Sequence, residues 1–142
     1  MQDPFSYRLD AMPRSQRVIR LVPRQKCSSF SAAIGLILGD CTDECAETKL
    51  IETFERLDLL LVSIEKFYKA GAFAALPDLA NALATRLAEI GLPDASMIAG
   101  HVADCARQPN PIALCAVVSR LERTVQHAAH CIFTEVLGPK QP

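Results

Sequence analysis

From residue 28 onward the apolar positions recur three and four residues apart, the period of an α-helix. Ser28 and Ser29 can cap a first short helix. Phe30, Ala33, Ile34, Ile37 and Leu38 then fall at helical spacing, and Gly39 ends it. Thr42 is a suitable N-cap for the longest helix. Asp43, Glu44 and Glu47 follow in its first turns, where the helix dipole favours acidic charge. The stripe Leu50, Phe54, Leu57, Leu61, Ile64 and Tyr68 is widened by Ile51, Leu60 and Phe67. A stripe that broad predicts a helix facing a bundle core. Gly71 closes it.

A third helix is predicted from about Ala74 to Ile90, with Leu76, Leu79, Leu83, Leu87 and Ile90 on one face. Gly91-Leu92-Pro93 breaks the chain, and Pro93 suits the first turn of a fourth helix. That helix spans about Asp94 to Ala106, with Ile98, Val102 and Cys105 inward. At the next connection Asn110 is the expected cap and Pro111 the first helical residue. The last helix carries Leu114, Val118, Leu121, Val125, Ala128 and Ile132 and frays near Gly138. Short connections make neighbouring helices antiparallel. The expected fold is therefore all-α: an up-down-up-down four-helix bundle with a short preceding helix.

The first 27 residues break this pattern and form an irregular basic segment, leaving 28–138 as the bundle domain. The segment contains Pro4, Pro13 and Pro23 with Arg8, Arg14, Arg17, Arg20 and Arg24. The run Arg17-Val-Ile-Arg-Leu-Val22 has the apolar content of a short strand, stopped by Pro23. The segment is either a solvated terminus or a basic arm that folds over the domain or reaches a partner.

Composition narrows the functional classes. No apolar run approaches the roughly 20 residues of a membrane-spanning helix, and the opening MQDPFSYRLD lacks a signal-peptide pattern. A cytoplasmic protein is expected. The net charge of −1 gives no global attraction to nucleic acid or anionic lipid. Six cysteines, at 27, 41, 45, 105, 115 and 131, lie mostly among small apolar residues, and reduced core thiols are expected.

The stretch DLANALATRLAEIGL, Asp78 to Leu92, resembles the active helix of a histidine phosphotransfer (HPt) domain. In that family a histidine stands two residues before a leucine and is followed by lysine and glycine. Here those positions hold Asn81, Leu83, Ala84 and Thr85. The resemblance covers about 50–136. It rests on the LANAL…EIGL frame, the helix order and the breaks at Gly71, Gly91-Leu92-Pro93 and 108–111. It implies an up-down bundle with a solvent-facing position 81, to which a response-regulator receiver domain docks. The chemistry does not carry over, because the Asn81 amide has no basic nitrogen to take a phosphoryl group. Ala84 cannot neutralise phosphate, and Thr85 adds bulk where the family has none. What the resemblance leaves is a non-catalytic docking face of Asp78, Asn81, Ala84, Thr85 and Ala88, with a receiver domain or histidine kinase as partner and no cofactor. The plainer alternative is that Asn81 is a polar residue on a solvated helix face.

Other readings have thinner support. His101 neighbours an inward stripe and is expected to be partly buried, while His127 and His130 should face away from the core. Cys41, Cys45, His127 and His130 fall at one end of such a bundle and have the donor chemistry of a zinc site. Nucleic-acid binding has only the N-terminal arginines in its favour. No phosphate loop, zinc-protease or nucleophile-elbow motif is present. Self-association through apolar residues of the first 40 is the main alternative to receiver binding.

Overall fold

The computed structural model describes residues 30–108 and 110–138. Five α-helices and one 3-10 turn account for most of them, with no strand among the described residues. The helices are α1 (Ser31–Leu38), α2 (Asp43–Lys69), α3 (Leu76–Glu89), α4 (Pro93–Arg107) and α5 (Pro111–Leu137). The expected strand at 17–22 and the Ser28-Ser29 cap lie outside the described residues. The third helix starts at Leu76 rather than Ala74, because Phe73–Ala75 forms a 3-10 turn ahead of it.

The turns explain the boundaries. Gly71 (φ 75°) and Gly91 (φ 83°) both adopt the left-handed conformation open to glycine. Each completes a Schellman motif. The Ala72 amide donates to the Phe67 carbonyl at 2.9 Å and the Gly71 amide to Tyr68 at 3.1 Å. At the second turn the Leu92 amide donates to Leu87 at 2.9 Å and the Gly91 amide to Ala88 at 3.1 Å. Pro93 and Pro111 open the next two helices. Asn110 caps α5, its Oδ1 accepting from the Ala113 amide at 3.2 Å. Thr42 occupies the N-cap of α2 but makes no side-chain cap bond.

The core is aliphatic. Leu50, Leu57 and Ile64 of α2, Leu76, Leu83 and Leu87 of α3, Ile98 and Val102 of α4, and Leu114, Leu121 and Ile132 of α5 are buried together. Fully burying such a side chain contributes about 1.5–3 kcal/mol, so this cluster dominates stability. Ala80, Ala95, Ala99, Ala103 and Ala106 are also buried. These small residues let α3 and α4 approach closely, and this pair is the most intimately packed in the molecule. A hydrogen bond from Ser96 Oγ to the Ala84 carbonyl, 2.7 Å, ties the two helices.

α2 packs on both α3 and α5. Its Phe54 ring lies 5.7 Å from that of Phe133 near the far end of α5. α1 covers the α3–α4 turn. A Cβ placed on Gly91 would stand 3.1 Å from the Ala33 Cα and 2.9 Å from a Leu36 methyl. Both 27-residue helices outrun α3 and α4, which have 14 and 15 residues. At 1.5 Å per residue that is about 40 Å against about 22 Å.

Three details correct the sequence reading. Ile51 and Phe67 are 39 % and 38 % exposed, outside the packed stripe they were expected to widen. His101 is exposed rather than partly buried, because it lies on the solvent side of Val102. The cysteines are not uniformly reduced core thiols. Cys41 and Cys45 form a disulfide across the α2 cap, where a Cα separation of 6.2 Å lets the side chains meet. Cys115 is exposed, Cys105 half-buried and Cys131 buried. Cys27 lies outside the described residues.

Candidate functional site

The outer face of α3 is set by its inner one. Leu76, Ala80, Leu83 and Leu87 are buried. With 3.6 residues per turn, the positions half a turn away must meet solvent. Asp78, Asn81, Thr85 and Ala88 do so; all four are exposed. The Asn81 amide stands near the middle of this face. The Asn81 backbone carbonyl accepts from Thr85 Oγ1 at 3.1 Å, so the threonine hydroxyl is turned back onto the helix. Ala84 departs from the group. It is half-buried against the core, and its carbonyl accepts the Ser96 bond. Ala82, Arg86 and Glu89 continue the exposed face on one side, and Ala84 flanks it on the α4 side. The face offers hydrogen-bonding and charged groups to solvent.

A second concavity was not legible in the sequence. Between α4 and α5 lies a cleft of about 710 Å³, walled by Phe30, Met97 and Ile98 on its apolar side. Arg120, Arg123 and His127 follow one another along α5 at helical spacing, and Asp94 stands on the opposite wall. Sequence reasoning missed it because the arginines look like ordinary surface charge until α4 is placed against them. The cleft sets two arginines against one aspartate.

Comparison with known protein families, curated proteins and solved structures returns no match.

The proposed metal donors are not gathered. Among the described residues no three potential ligands cluster as a metal site. Cys41 and Cys45 are bonded to each other. His127 is half-buried rather than turned to solvent as expected, with its Nε2 3.5 Å from Cys131 Sγ and its ring against Phe30. His130 is exposed. No helix among the described residues is long and apolar enough to cross a membrane.

Two side chains along the α2–α5 seam titrate abnormally. Glu122 is raised above its ordinary 4.5 by burial, and then by the Glu65 carboxylate, with Lys69 opposing. Tyr68 is raised above 10.0, first by its hydrogen bond with the Cys115 side chain and then by burial. Neither faces the α3 strip, so neither supplies chemistry there.

Proposed function

We propose that this chain is a non-catalytic helical interaction module whose docking surface is the outer face of α3. The observation that carries this reading is the exposure of Asp78, Asn81, Thr85 and Ala88 on one strip opposite the core. Ala84 lies at its edge. Four helices, α2 to α5, would form an up-down-up-down bundle, with α1 across one end. In this reading the partner is a receiver domain or histidine kinase of a bacterial-type phosphorelay in the cytoplasm. That partner class follows from the HPt-like frame around Asn81. Without a basic nitrogen at position 81, the module binds or sequesters its partner and passes no phosphate.

The test pairs purified receiver domains and kinases with the wild-type chain and with the double variant Asn81→Arg, Ala84→Arg. A 1:1 complex weakened at least about tenfold by the double variant, 1.4 kcal/mol or more, supports the reading. Equal binding by both proteins, or no binding to any receiver or kinase, removes it.

A second reading has its own observation. Leu59 and Val62 of α2 are 69 % and 52 % exposed, on the side of the helix away from the core. In that case the module self-associates through α2. Its mass in solution would then rise with concentration and fall in Leu59→Lys.

A further inference from the structure

The two parts of the chain carry opposite charge. Residues 1–29 hold six basic and two acidic side chains, whereas 30–142 hold nine basic and fourteen acidic ones. The acidic excess is concentrated at 43–58 of α2, where Asp43, Glu44, Glu47, Glu52, Glu55 and Asp58 outnumber Lys49 and Arg56. This part of α2 packs against α1 and, on another side, against α5. A groove of about 300 Å³ runs along their junction. Ile51, Phe54, Val125 and Phe133 form its apolar floor, and Glu55 and Asp58 stand on its rim. Both carboxylates lack an ion-pair partner among the described residues. Its volume is at the lower limit for a small-molecule pocket, and it suits one or two apolar side chains flanked by cations.

The segment 17–22, Arg-Val-Ile-Arg-Leu-Val, has that composition. It is also tethered nearby. Phe30 packs 6.1 Å from the His127 ring on α5, one residue from groove-lining Gln126. Seven residues, 23–29, lie between Val22 and Phe30, and the eight steps they span give a reach of about 26 Å. Crossing α5 requires about 10–12 Å. We propose that segment 17–22 docks in the α2–α5 groove of its own chain, its apolar residues over Phe54 and Phe133 and its arginines against Glu55 and Asp58. A short tether supplies an effective concentration in the millimolar range, so an intrinsic affinity of about 100 μM gives about tenfold occupancy.

Trypsin cleavage after Arg14 and Arg24, which flank the segment, tests this on the full chain. The wild type is cut about tenfold more slowly than a synthetic peptide of residues 8–29, since cleavage follows the undocked population. Glu55→Lys with Asp58→Lys brings the rate to that of the peptide. Adding Arg17→Glu and Arg20→Glu to that variant restores protection. Circular dichroism confirms that the helices persist in each variant. Cleavage of the wild type at the peptide's rate overturns the proposal. So does protection that survives the Lys variant, or protection that grows with protein concentration and therefore comes from a second copy.

Discussion

Two turns of this molecule have the same hydrogen bonds and different surroundings. Gly71 and Gly91 each end a helix in a Schellman motif at positive φ. Around Gly71 an added Cβ would meet nothing within 4 Å. Around Gly91 it would run into the backbone of α1. One glycine satisfies only its own backbone, while the other also makes room for a neighbouring helix. The local motif thus sets where the chain turns, and the tertiary contact sets how much that turn matters.

Substituting each glycine separates the two effects. Gly91→Ala incurs the left-handed strain and displaces α1 as well, and we expect a loss of about 2–4 kcal/mol. Gly71→Ala incurs the strain alone, about 1–2 kcal/mol. Urea unfolding of both variants measures the gap. Equal losses would mean that α1 does not rest on the Gly91 turn. A smaller effect belongs to the α2–α5 seam, where Glu122, Glu65 and Lys69 face one another. Because the folded state raises Glu122, the native protein holds this proton more tightly than the unfolded chain. Stability is therefore lost as pH rises from about 4.5 through the raised value. Glu122→Gln should be more stable than the wild type at pH 7, by no more than about 0.5 kcal/mol at so exposed a site. Thermal melts at pH 7 and pH 4 should show that advantage shrinking in acid.

The same distinction separates what could be read in the sequence from what could not. Local signals placed the helix ends well: Gly39, Gly71, Gly91-Leu92-Pro93 and Asn110-Pro111 all stand where the chain turns. Large aliphatic residues marked the inward faces, and every position of the predicted α5 stripe is buried. The alanines of α3 and α4 gave no such signal, since alanine suits either face of a helix. Ile51 and Phe67 misled because periodicity does not show how much of a helix its neighbours cover. On the α3 strip the exposure of Asn81 followed from periodicity. The tie from Ser96 to Ala84 did not, because it depends on the approach of α4. The charged cleft and the acidic groove each need two helices and had no one-dimensional trace.

The unequal helix lengths also bear on the order of assembly. α3 and α4 are joined by one tight turn and pack most closely, so their contacts form at little cost in chain entropy. Bringing Phe54 to Phe133 instead closes a loop of most of the domain. The expected order of folding therefore runs from the α3–α4 hairpin to the meeting of the long helices. Substitutions within the hairpin should slow folding, whereas those at the Phe54–Phe133 contact should mainly hasten unfolding.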